Sequence, residues 1–233
     1  MNEAKDELLC LECDSHFLEI ADLKWLPWIG KEYFNSESRV LIIGESHYLL
    51  DEHDPHYAKN KEEVNSPQKD FTRNVVQTFC VNNKKPQPTF DNLTRCLSGK
   101  QKVSPQKRME LWQHLAFYNF VQRPMKSNKK RPKSEDMQTG WKVFAELIKM
   151  LKPTKCIFIG FAAADSYNPY ICEHGEKVGR CAARLFSAKI DENTSCPCIA
   201  IKHTSQYFSW KKWHEVLNNN NFLFRLQGFG SMM

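Results

Sequence analysis

Four short, almost wholly apolar runs constrain this 233-residue chain more than any other feature. They are Arg39-Val-Leu-Ile-Ile-Gly44, Leu115-Ala-Phe-Tyr-Asn-Phe-Val121, Lys155-Cys-Ile-Phe-Ile-Gly160 and Pro197-Cys-Ile-Ala-Ile-Lys202. A strand with one wet face alternates polar and apolar residues, whereas a strand covered on both faces reads as a continuous apolar run. The runs therefore predict the strands of a central four-stranded parallel sheet. Between the second and third, Val143, Phe144, Leu147, Ile148 and Leu151 recur at the 3.6-residue period, and Pro153 stops that helix. Helices alternating with such strands predict an α/β fold, a three-layer α/β/α sandwich.

Hydrophobic residues make up 41% of the chain and aromatics 12%, enough to build a core and to exclude wholesale disorder. Lys and Arg number 33 against 27 Asp and Glu, and a net charge of +6 suits a polyanionic partner. Nine cysteines, an odd number, follow an opening MNEAKDELLC of mixed charge, so free thiols in a reducing compartment are expected. No apolar run reaches the roughly 18 residues of a membrane span. The expectation is a monomer inside the cell, cytoplasmic or nuclear, with no membrane partner. Leu49 to Lys69, which carries DEHDPH, and Tyr167 to Asn193, which carries Cys172, His174 and Cys181, are polar. They read as surface insertions, near 49–75 and 167–193, in a single domain spanning 1–233. Lys126 to Lys133 (KSNKKRPK) reads as a basic, solvated loop.

Ligands of an open parallel sheet bind beyond the carboxyl ends of its strands. The residues at those ends are Gly44-Glu45-Ser46-His47-Tyr48, Asn119, Gly160-Phe161 and His203-Thr204-Ser205-Gln206-Tyr207. An acid, an amide, a glycine turn and an imidazole thus meet on one edge. In that order, GESHY, an aromatic-Asn strand, a strand ending in Gly and HTS resemble the motifs of the uracil-DNA glycosylase superfamily. The likeness runs from about Val40 to Leu217. Its most specific part is Tyr118 to Pro124 (YNFVQRP), a charged loop, a helix, and Leu151 to Gly160 (LKPTKCIFIG).

The resemblance implies a uracil-DNA-glycosylase-like fold and base excision. A base cannot be attacked inside a duplex, so the nucleotide is flipped into a pocket. Breaking the glycosidic bond leaves an oxocarbenium-like sugar and a base anion. His203 matches the superfamily's last motif and would donate to the departing base. Asn119 would read the base's hydrogen-bonding edge, and Phe79 would stack on it. The first motif departs from the GQDPY branch, because Ser46 stands where that branch has its water-activating Asp. Glu45 matches the Glu of the GEAPG branch and takes the water- or cation-stabilising role, with His47 as a second polar group. Gly44 and Tyr48 would border the base, Tyr48 where one branch fences its pocket.

The resemblance also places Thr89, in a proline-rich turn, with Gly160, Phe161 and Ser205 against DNA phosphates, and Tyr207 as a wedge in the gap left by the flipped base. Neither a cofactor nor a metal is expected. Cys10-x-x-Cys13 matches half of an iron–sulfur set, but Gln122 to Trp141 contains no cysteine to complete it. Cys80 and Cys96 precede the Asn strand, and the spacings of Cys196-Pro-Cys198, Cys172-x-His174 and DEHDPH are not those of a zinc finger. The expected activity is a monofunctional DNA glycosylase for a damaged or modified, pyrimidine-type base, in repair or in defence against modified foreign DNA. The alternatives are a non-catalytic DNA-binding module of the same fold and a small-molecule hydrolase using Glu45 and His203.

Overall fold

The computed structural model describes residues 7–82, 86–127, 130–166, 168–169, 171–178, 182–205 and 207–223. Its strands are β1 (Trp28–Ile29), β2 (Val40–Gly44), β3 (Leu115–Asn119), β4 (Lys155–Ile159), β5 (Cys172–Val178), β6 (Ala183–Lys189) and β7 (Ser195–Ile201). The helices are α1 (Asp14–Glu19), α2 (Tyr57–Val64), α3 (Phe71–Val75), α4 (Pro88–Ser98), α5 (Pro105–Gln113), α6 (Ser134–Leu151), α7 (Ala162–Asp165) and α8 (Trp210–Asn219). Helix α3 continues into a π-helical stretch, Val76–Val81.

The four apolar runs become β2, β3, β4 and β7. They do not stand alone: the sheet has seven strands in the order β1-β3-β2-β4-β7-β6-β5 and is mixed. β3, β2, β4 and β7 pair in parallel, while β1 lies antiparallel on β3, and β6 and β5 extend the other side antiparallel. This corrects the expectation of a sheet of four parallel strands. The segment near 167–193 was expected to be a surface insertion, and instead much of it is the β5–β6 hairpin. Its strands, CEHGEKV and ARLFSAK, are more polar than the parallel four, so a search for unbroken apolar runs passes over them. A register shift between Glu173 and Glu176 bulges β5. Cys181 lies outside the described residues, as does the side chain of His174.

The first expected insertion is also partly internal. Val64 and Phe71 are buried with Trp25 in a small apolar cluster. Arg73, 3% exposed, donates to both carboxylate oxygens of Asp14 at 2.8 and 2.5 Å and to the Pro27 carbonyl at 2.9 Å. A guanidinium so buried is tolerated because its donors are met, and deleting either partner would leave a bare charge.

Both faces of the sheet are covered. On one, Leu41, Ile43, Tyr118 and Phe158 pack with Trp141, Phe144, Leu147 and Leu151 of α6. On the other, Ile42, Phe117, Ile157 and Ile199 pack with Leu93 and Leu97 of α4, Trp112 of α5 and Leu217 of α8. Helix α6 starts two turns before its apolar stripe. There Asp136 accepts from the Lys133 backbone N–H at 2.7 Å and from Arg123 at 2.6 Å. It ends with Lys152 in the left-handed region, φ +42°, just before Pro153. Among the described residues, no helix is long and apolar enough to cross a membrane.

Candidate functional site

Register decides what meets at the carboxyl edge. Gly44 pairs directly with Asn119, and Ile159 with Ile201, so the strands reach the edge nearly level. The ladder then continues past them: Phe120 N–H donates to the Gly44 carbonyl and Val121 N–H to the Glu45 carbonyl, each at 2.9 Å. Glu45 is therefore held on extended, hydrogen-bonded backbone rather than on a free loop. Its side chain is 13% exposed, with Arg131 Nη1 3.9 Å from Oε1.

Gly160 sits between Glu45 and His203. A Cβ added to Gly160 would lie 3.6 Å from Glu45 Oε2 and 3.8 Å from His203 Cδ2, so both side chains border one small space. The glycine has φ +105°, which L side chains rarely adopt, and its N–H donates to the Ile201 carbonyl at 2.9 Å. His203 follows β7, and its Nδ1 accepts from the Ser205 backbone N–H at 3.3 Å. A neutral imidazole that accepts at Nδ1 carries its proton on Nε2, which makes that nitrogen a donor. Burial holds His203 below the usual histidine range, while the Glu45 carboxylate opposes that shift.

Two further groups set this arrangement. Asn92, on α4, donates to the carbonyls of Thr204 (2.9 Å) and Ser205 (3.2 Å) and so pins the turn that carries His203. Thr204 is fully buried, and among the described residues its hydroxyl has no hydrogen-bond partner. The Asn119 carboxamide occupies the space that a side chain on Gly44 would need: a Cβ there would lie 2.1 Å from Asn119 Oδ1. Asn119 is 6% exposed, and its main-chain carbonyl accepts from Gln122 Nε2 at 2.6 Å. Phe79, half-buried on the π-helical stretch, stacks on Phe90 at 6.4 Å, and Phe90 meets Phe117 at 5.8 Å beside Gly44. Single π turns inside helices recur at functional sites.

The remaining expected residues divide. Tyr48 is half-buried, and burial chiefly pushes its phenol up, with Ser46 and Glu45 beside it. The Ser46 hydroxyl is buried without a hydrogen-bond partner of good geometry among the described residues. His47 does not join the edge. Its ring is 6% exposed and lies 4.8 Å edge-on from both Trp25 and Phe71, and its Nε2 bonds Thr72 Oγ1 at 2.8 Å. Desolvation lowers its pKa to about 3, so it is a neutral packing residue and not the second polar group expected. Phe161 lies under the Arg184 guanidinium, 4.3 Å from ring centroid to Cζ. Thr89 is half-buried at the start of α4, its N–H donating to Gln87 Oε1 at 3.3 Å. Ser205 is held through its backbone as described. Tyr207 is 91% exposed with φ +59°, and its carbonyl accepts from Lys202 at 3.0 Å.

Sequence reasoning missed Arg131 and Asn92. Arg131 belongs to the basic run read as a solvated loop, and nothing in that run signals Glu45. Asn92 sits in an ordinary amphipathic helix, where a half-buried amide carries no pattern of its own. Lys126 and Lys130 of the same run are exposed, while Asn128 and Lys129 lie outside the described residues. Among the described residues, neither Cys10 with Cys13 nor the DEHDPH segment gathers three metal-ligating side chains. A narrow cavity opens between the ends of β2 and β4, lined by Gly44, Glu45, Phe120, Gly160 and Ala162, with room for roughly one water molecule. No protein-family model matches the chain, and no curated protein matches it.

Proposed function

We propose that this chain is a monofunctional DNA glycosylase that hydrolyses the N-glycosidic bond of a flipped-out, damaged or modified, pyrimidine-type base and leaves an abasic site. The observation that carries the proposal is the meeting of Glu45 and His203, from the ends of β2 and β7, across Gly160 just after β4. The parallel order β3-β2-β4-β7, with apolar clusters on both faces, supports reading the fold as a uracil-DNA-glycosylase-like three-layer sandwich.

Each group has a task that follows from its chemistry. The departing base becomes an anion, and the Nε2–H of neutral His203 donates to its oxygen in a partly water-excluded site. The sugar becomes oxocarbenium-like, and the Glu45 carboxylate stabilises that charge or orients the attacking water. A carboxamide offers both a donor pair and an acceptor, so Asn119 can read a pyrimidine edge. Tyr207, exposed and projecting from a left-handed turn, fills the gap in the duplex. The narrowness of the cavity between the ends of β2 and β4, with Ser46 in place of a carboxylate, favours a second reading, a non-catalytic DNA-binding module of the same fold.

Mass-spectrometric detection of bases freed from duplexes carrying a panel of modified pyrimidines separates the two readings. The wild type is expected to release a base, and Glu45→Gln and His203→Ala to slow release by roughly 10²–10³ while binding DNA. DNA binding with no release by the wild type supports the second reading. Release unchanged in both variants overturns the site assignment.

A further inference from the structure

Far from the carboxyl edge, three thiols meet in the core. Cys156 on β4 pairs directly with Cys198 on β7, and Cys196 lies two residues earlier on β7, hence on the same face. All three are fully buried, and their sulfurs lie within 4.8 Å of one another, Cys156 and Cys196 at 3.6 Å. Metal–thiolate bonds of about 2.3 Å place sulfurs of one trigonal or tetrahedral site about 3.8–4.0 Å apart. The cluster already has nearly that spacing, on strands that cannot easily splay.

A second observation is independent of the cysteines. Among the described residues, the hydroxyls of Tyr33 and Tyr118, 0% and 1% exposed, have no hydrogen-bond partner. Both belong to the same buried core cluster as the three thiols. A neutral thiol is a weak acceptor, and a thiolate a strong one.

We propose that Cys156, Cys196 and Cys198 hold a thiophilic metal ion, zinc or monovalent copper, through three sulfur–metal bonds. Binding forms three sulfur–metal bonds, breaks three S–H bonds and releases the protons to solvent, with no change of oxidation state. Thiolates select zinc and copper(I) over harder ions. The site clamps β4 to β7 about 13 Å along β4 from Gly160, so it is structural.

The test uses the reduced, full-length protein and two probes. Cobalt(II), a stand-in for zinc, is expected to give one equivalent of sulfur-to-cobalt charge-transfer absorption, or copper(I) to transfer stoichiometrically from a chromophoric chelator. The bound ion should protect three thiols from alkylation, and peptide mapping should place them at 156, 196 and 198. Cys156→Ala and Cys196→Ala should lose the signal, and Cys80→Ala, on the other face of the sheet, should keep it. If the wild type takes up neither ion, or a different trio is protected, the proposal fails whether or not the variants fold.

Discussion

His47 shows how far one ring's surroundings decide its chemistry. It stands in the first motif beside Glu45, yet Trp25, Phe71 and Thr72 enclose it and lower its pKa to about 3 from the ordinary 6.5. The unfolded chain therefore binds one more proton than the folded one between those values. Stability from neutral His47 is fully present above about pH 6.5 and is lost as the pH falls toward 3. The loss approaches ~1.4 kcal/mol per pH unit for one proton. Urea denaturation from pH 7 to 4 should show that slope, and His47→Gln should remove its share while leaving the rest of the curve. His203 shifts in the same direction for the same first cause, burial, but its Cδ2 edge borders the space beside Gly160. The strand-end rule made Glu45, Asn119 and His203 legible, because each follows from where an apolar run stops. It gave His47 equal standing, because the aromatic box is assembled from residues far away in sequence.

At the scale of elements, the turn after β7 depends on α4. Asn92 satisfies the Thr204 and Ser205 carbonyls, and Ser205 in turn fixes the His203 tautomer through its N–H. Asn92→Ala should cost about 1–2 kcal/mol in chemical denaturation, with faster hydrogen exchange at the Ser205 amide, since a buried and a half-buried acceptor lose their donor. The strands show why sequence reading worked unevenly. β2 and β3 are buried at every position, and most of β4 is buried, so their composition alone announces them. β6 is mostly half-buried, and β5 carries exposed Glu173, Glu176 and Lys177, so neither has an unbroken apolar run. β1 has two residues and exists only because β3 lies beside it.

Across the whole molecule, the net charge of +6 sets the long-range field, and DNA would meet it before any specific contact forms. Measured duplex affinity should fall linearly on a log–log plot against salt, with a slope of about −0.9 per phosphate neutralised. Charge reversal at Lys126, Lys130 and Arg131, all exposed and Arg131 beside Glu45, should flatten that slope. An affinity indifferent to salt would count against a nucleic-acid partner altogether. The bulge and the charged residues of β5 carry one more consequence. As the outermost strand, it offers unpaired amides and carbonyls to any neighbouring copy. The bend of the bulge and the ammonium and carboxylate groups of Lys177, Glu173 and Glu176 make stacking one sheet onto the next unfavourable, which protects the fold against fibril growth along that border.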